Sequence, residues 1–197
     1  MQKTQFRILL YSILLFVGIG CIGSSCNSNY ERERNIDETS ILRLAFNLTI
    51  GNDTNNIRVL INDSLVGVPK KNDPIFFKTM ETREGFAQRF SGFDTTYRAV
   101  LTILIDSVVP KSLKDLSIIK DQHKFSVSFG KVEDSPSHDS KAKYITFSNI
   151  AFNSKKTTAC IYVTLNCGLM CSSTQIIFFC KKNGQWQIKG NKTLSIS

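Results

Sequence analysis

The sequence predicts an α+β fold: a single domain whose N-terminal helices pack on a C-terminal antiparallel sheet, a meander. Three observations carry this expectation. Apolar residues recur at steps of three and four at Ile41, Leu42, Leu44, Ala45 and Leu48, and again at Tyr97, Val100, Leu101, Leu104, Ile105 and Val108, as on helices that face a core. From Tyr144 the pattern changes to consecutive strand-like runs, and helices followed by strands, rather than alternating with them, is the α+β arrangement. The chain has 197 residues, 42% hydrophobic and 21% charged, which suits one ordinary globular core.

Residues 1–25 read as a secretory signal of the lipoprotein type, residues 26–34 as a polar tether, and residues 35–197 as the folded domain. The signal begins with Lys3 and Arg7, continues through an apolar stretch from Ile8 to Ile22, and ends in small polar residues, too short for a secure membrane span. Two cysteines follow small residues there, Cys21 in GIGC and Cys26 in GSSC. These stretches resemble bacterial lipoprotein signals. Gly18 and Gly23 stand where the strict pattern has leucine, so the resemblance is to the looser form found in Bacteroidetes lipoproteins. Lipid on Cys26 would leave four cysteines in the mature chain able to pair, whereas lipid on Cys21 would leave Cys26 as an odd thiol; this favours Cys26, with Cys21 as the alternative.

Along the domain, NIDETSILRLAFNLTIG from Asn35 offers an Asn-x-x-Glu capping box and Gly51 as a stop, so a helix is expected. IRVLINDSLVGV, 57–68, reads as a strand, a polar turn at Asn62 to Ser64 and a second short extended piece. A short helix is placed near Thr82 to Phe90. DTTYRAVLTILIDSVVP has Asp94 as a candidate cap and Pro110 as a stop. A helical turn around Leu113 to Ile119 leads into KFSVSF, where Phe125, Val127 and Phe129 alternate, and 131–141 reads as a loop. YITFSNIAF, TTACIYVTL, STQIIFFCK and GQWQIK then read as strands. Asn183-Gly184 between two of them signals a two-residue hairpin that pairs Lys182 with Gln185, Lys181 with Trp186, Cys180 with Gln187 and Phe179 with Ile188.

Folding the preceding strand back about LNCGLMCSST brings Cys167 near Cys171 and Cys160 near Cys180. Ile161, Val163, Leu165, Ile177, Phe179, Trp186 and Ile188 then share a core face, while Cys160, Tyr162, Thr164, Ile176, Phe178 and Cys180 lie on a more polar one. Two disulfides, Cys167–Cys171 and Cys160–Cys180, are the first reading, because an exported compartment lets them persist. Loop closure would contribute roughly 2 kcal/mol for the inner bridge and roughly 3 for the outer. A structural zinc site would use Cys-x-x-Cys knuckles, and a redox site would use the same spacing or a neighbouring histidine; neither pattern occurs here. No metal or other cofactor is expected.

The net charge of +9 falls to +7 on removal of residues 1–25, which carry Lys3 and Arg7 and no acid. Lysine pairs at Lys70-Lys71, Lys155-Lys156 and Lys181-Lys182 read as solvated surface, without a nucleic-acid motif. His123 and His138 fall in polar stretches, and Glu133 and Asp134 sit in a turn-forming loop. There is no nucleophile elbow, phosphate loop or metalloprotease motif, so the sequence leans away from an enzyme.

The stretch FSNIAFNSKKTTACIYVTLNCGLMCSSTQIIFFCKKNGQWQIK resembles the end of a group of exported proteins and lipoproteins of Bacteroidetes, through Phe147, Ser148, Phe152, Asn153, Cys167, Gly168, Cys171, Lys181, Gly184 and Trp186. Ser172 and Ser173 depart from that group's usual glycine. The resemblance implies an address and a fold without an activity. The expected function is therefore a cell-envelope lipoprotein, held to a membrane by an N-terminal lipid and facing the periplasm or the cell exterior, that acts as a binding or accessory module for a protein or glycan. An envelope hydrolase with a dispersed site and an immunity-type protein are the alternatives, and no nucleic-acid partner is expected.

Overall fold

The structure, a computed structural model, describes residues 32–51, 58–66, 95–107, 111–112, 126–130, 142–168 and 171–196. The chain divides into two compact units, Met1–Glu38 and Thr39–Ser197. In the first, residues 32–38 are helical, and Arg34 Nε donates to Glu38 Oε1 at 2.9 Å, one turn on. Asn35 thus lies inside a helical run rather than capping one, and the tether expected over 26–34 is helical at 32–34. Cys21, Cys26, the helix expected at Thr82 to Phe90, the turn at Leu113 to Ile119, Asp94, Phe125 and the loop 131–141 lie outside the described residues.

The second unit opens with helix α1, residues 39–50. Ile41, Leu42, Ala45, Phe46 and Ile50 are buried and recur along one stripe, whereas Leu48, assigned to the stripe by periodicity, is 37% exposed. The helix stops at Gly51, whose φ of 66° suits a residue without a Cβ and whose N–H donates to Asn47 O at 3.0 Å.

The remaining elements are β1 (Arg58–Asn62), β2 (Ser64–Leu65), α2 (Tyr97–Asp106), β3 (Lys111–Ser112), β4 (Ser126–Gly130), β5 (Ala142–Phe147), β6 (Ala151–Phe152), β7 (Thr158–Asn166), β8 (Ser172–Lys182) and β9 (Gln185–Ile196). Seven strands form one sheet in the order β4-β1-β5-β7-β8-β9, with β6 also pairing β7; β2 and β3 form a separate ribbon. The α+β class therefore stands, with two helices among the described residues and a mostly antiparallel mixed sheet. The meander describes only part of it. From β5 through β9 the pairings are antiparallel, but β1 pairs in parallel with both β4 and β5. Two strands also precede α2, so the helices do not all come first. Parallel neighbours need long crossovers, and α2 lies within the one that joins β1 to β4.

Each face of the sheet has its own core. Val59, Ile61, Ile145, Phe147, Ala159, Ile161, Val163, Ile177, Phe179 and Trp186 join the buried residues of α1. Cys160, Tyr162, Ile176 and Phe178 join Tyr97, Val100, Leu101 and Leu104 of α2. The face read as more polar is thus buried beneath α2, and Cys160, Ile176 and Phe178 are wholly inaccessible. Tyr97 anchors that helix. Its ring meets Phe178 edge-on at 5.1 Å between centroids, and its hydroxyl donates to Phe179 O at 2.8 Å. The register of β8 against β9 shifts between Phe178 and Phe179, leaving Lys189 as the extra residue of a bulge at the level of that carbonyl.

A second bulge decides where β5 and β6 point. Phe147 pairs with Val163 and Ala151 with Cys160, so four steps along one strand match three along β7. The extra residue reverses the alternation, which is why Phe147 and Phe152 enter the same core although their spacing is odd, while Ala151 faces α2. Ser148, fully buried, carries the ladder through this break. Its N–H donates to Tyr162 O at 2.9 Å, its Oγ accepts from Tyr162 N–H at 2.9 Å, and its hydroxyl donates to Asn149 O at 2.9 Å.

Ser148→Ala would leave the buried Tyr162 N–H without an acceptor, and the expected loss is about 1–3 kcal/mol of stability. Urea unfolding should show a lower midpoint with an unchanged slope; an unmoved midpoint would contradict the assigned role of the hydroxyl.

Candidate functional site

The four cysteines in or next to β7 and β8, and the turns at the ends of these strands, carry the chemistry that the sequence singled out. At one end, Cys167 and Cys171 form a disulfide with their Cα atoms 5.1 Å apart. Cys167 N–H donates to Cys171 O at 2.7 Å, and Asn166 Oδ1 accepts from Gly168 N–H at 3.1 Å, so the turn is held by backbone and side chain as well as by sulfur. Gly168 has φ of 120°, a conformation that suits glycine.

The second bridge does not form: Cys160 and Cys180 are free. The reason is register. Cys180 lies opposite Thr158, and Cys160 opposite Phe178, two residues from the expected pairing. A displacement of two keeps both thiols on one face but makes them diagonal neighbours, roughly 7–8 Å apart, beyond ordinary disulfide reach. Asn166 opposite Ser172 continues the same register into the turn, which is why the inner pair does meet. Burial pushes the Cys160 thiol well up from its ordinary pKa, so it stays protonated and acts as a core side chain. Cys180 is half-buried. Thr158, facing it across the ladder, has a buried hydroxyl oxygen without a hydrogen-bond partner.

At the opposite end of the same strands, two tight turns lie side by side. In 153–157, Asn153 Oδ1 accepts from Thr157 N–H at 2.8 Å and Thr158 N–H at 3.2 Å, and Asn153 Nδ2 donates to Thr157 Oγ1 at 2.9 Å. Lys156 adopts φ of 50° there. Between β8 and β9, Asn183 at φ 50° and Gly184 at φ 78° make the primed turn expected of Asn-Gly, and Lys182 with Gln185, Lys181 with Trp186, Cys180 with Gln187 and Phe179 with Ile188 pair as the turn predicts. Lys181 N–H donates to Thr157 O at 2.8 Å, tying one turn to the other. Lys155, Lys156, Lys181 and Lys182 therefore share one end of the sheet. Lys181 Nζ lies 5.4 Å from the centroid of the Trp186 ring, and Phe152 meets that ring edge-on at 5.7 Å.

Reading these lysines as scattered pairs missed their grouping. Residues 140–197 contain eight lysines, no arginine and no aspartate or glutamate, so nearly the whole net charge of +9 resides in this segment. A charge balance taken segment by segment exposes the asymmetry; the strand pairing then brings four of the eight together. The described part of the second unit has two acids, Asp63 between β1 and β2 and Asp106 at the far end of α2. Ten residues of helix place Asp106 about 14 Å along the axis from Tyr97, which is bonded to Phe179 near the lysine end.

Among the described residues, no group of three or more histidine, cysteine or acidic side chains comes together as a metal site, and no helix is long and apolar enough to cross a membrane. His123, His138, Glu133 and Asp134 lie outside the described residues.

Thiol labelling separates the two free cysteines. In the native protein Cys180 should react with a maleimide, whereas Cys160 should react only after denaturation; Cys160 modified at the native rate would contradict its burial beneath α2. The chain matches no family model, no curated protein and no solved structure.

Proposed function

We propose that the protein is a cell-envelope lipoprotein, anchored through a lipid on Cys26 and serving as a binding or accessory module rather than an enzyme. The observation that carries this reading is the N-terminal stretch itself: a basic start, an apolar run from Ile8 to Ile22, and a cysteine preceded by Gly23, Ser24 and Ser25. Cys21 is the alternative attachment point. The Cys167–Cys171 bridge supports an exported address, because such bonds persist in oxidising compartments and are reduced in the cytosol. The C-terminal resemblance to exported proteins of Bacteroidetes supports the same address, and its lysine, glycine and tryptophan positions coincide with the β8–β9 turn.

A lipid anchor changes what a binding module must achieve. It confines the domain to a layer beside the membrane, where a tethered site works at raised effective concentration and needs little intrinsic affinity. A partner held by a protein or glycan surface can then be engaged by shape and charge, without a deep pocket.

Intact mass of the protein purified from its native membrane tests the proposal. The expected species begins at Cys26 and carries a diacyl or triacyl mass. Alkylated under denaturing conditions, it gains two labels before reduction, on Cys160 and Cys180, and four after it. An unlipidated chain, or one that keeps residues 1–25, would overturn the anchor.

A further inference from the structure

We propose that the lysine end of the sheet, built by the turns 153–157 and 182–185, docks on an anionic lipid surface. The inference rests on the membrane-anchored reading for its setting, and on the structure of this end for its chemistry.

Three features point to a surface rather than to a small anion. The first is composition. All eight cations between residues 140 and 197 are lysines. Lysine presents a compact, strongly hydrated point charge, whereas arginine presents the planar fork that recognises one phosphate or carboxylate through paired hydrogen bonds. Four lysines and no arginine on and beside the two turns favour diffuse attraction to many charges over a defined anion site.

The second feature is exposure. Lys155 and Lys182 are exposed on adjoining turns at one end of the sheet. The remaining side chains of the two turns, Asn153, Ser154, Thr157, Asn183 and Gln185, are uncharged, so the turns themselves set no carboxylate against an anionic layer. The Asn153 hydrogen bonds and the Asn-Gly turn fix the backbone in advance, which limits the ordering cost of docking.

The third feature is segregation. A protein kept soluble by charge alone can scatter both signs, but here residues 140–197 carry one sign only. Clustered lysines next to a membrane are attracted to anionic headgroups within about a Debye length, and the effect grows with each residue added. A soluble anionic polysaccharide offers similar charge, yet an anchored domain meets the lipid surface first and continuously.

Trp186, the single tryptophan, lies beside Lys181 and reports on this end. The full chain is placed in vesicles of phosphatidylcholine, or of phosphatidylcholine with about one-third phosphatidylglycerol, each containing a small fraction of lipid with a dansyl headgroup, which quenches tryptophan by energy transfer at longer range than contact and so reaches the buried Trp186 ring. Trp186 emission should be quenched more strongly in the anionic vesicles, and the difference should disappear in about 0.5 M salt. Lys155→Gln combined with Lys182→Gln should lower the docked-to-undocked ratio about thirtyfold, whereas the matching arginine pair should retain it. Both positions are exposed, so the variants should fold, which circular dichroism is to check.

Equal quenching in neutral and anionic vesicles, or quenching unaffected by the glutamine pair, would overturn the proposal. So would a Trp186 response to a soluble anionic polysaccharide with none to anionic vesicles. Failure of the anchor reads differently: the chain would not stay with neutral vesicles at all, while salt-sensitive quenching by anionic vesicles would still support docking.

Discussion

The structure depends on the burial of the β7–β8 hairpin from both sides. Ala159, Ile161, Val163, Ile177 and Phe179 are sealed in one core, and Cys160, Tyr162, Ile176 and Phe178 in the other, so almost every residue of the hairpin's middle is closed to water. Strands of this kind cannot be displaced by one residue without exchanging two complete sets of core side chains. They also cannot stand alone, because each face must be covered by something apolar. Helix α1 covers one face and α2 the other, and the register of Thr158 opposite Cys180 positions everything attached to the hairpin, including both of its ends.

Around this centre, irregularities in the ladder serve as joints. The bulge at Ser148 turns Ala151 toward α2 while returning Phe152 to the core that holds Trp186, and Ser148 replaces the lost ladder partner with its own hydroxyl. On β9, bulges at Lys189 and Leu194 let an exposed edge strand twist, and the lysines along it discourage pairing with another chain. A polar relay closes the first core: Thr49 Oγ1 donates to Ala45 O at 2.8 Å, Gln175 Nε2 donates to Thr49 Oγ1 at 3.1 Å, and Asn191 Nδ2 donates to Gln175 Oε1 at 2.8 Å. It links the end of α1 to β8 and β9 without adding a charge.

What was legible in the sequence was local. Asn183-Gly184 specifies the β8–β9 pairing because its backbone preference acts across two residues, and the apolar alternation of β7 and β8 assigns their faces. The outer cysteines misled because a two-residue displacement leaves those faces unchanged, so alternation cannot detect it. The parallel pairing of β1 with β4 and β5 has no local signature, since partners far apart in sequence are chosen by packing. Burial of the second face followed from the apolar stripe of α2, but nothing in the stripe itself says which side of a sheet it covers. The lysine end was hidden for the same reason: Lys155-Lys156 and Lys181-Lys182 are separated along the chain and brought together by the β7–β8 pairing and the hydrogen bond from Lys181 to Thr157.

The hairpin accordingly presents two chemically distinct ends, a cross-linked turn at Cys167–Cys171 and a cationic one some nine residues of strand away, on a support rigid enough to keep them apart. That rigidity requires α2 to be an integral layer. Native-state hydrogen exchange across a denaturant series tests this most directly. The account predicts that amides of α2 and of the middle of β7 and β8 exchange through one shared opening, with the same free energy and the same denaturant dependence. Fast, denaturant-independent exchange throughout α2, with β7 and β8 still protected, would show that the second face is not held by this helix and would contradict the account.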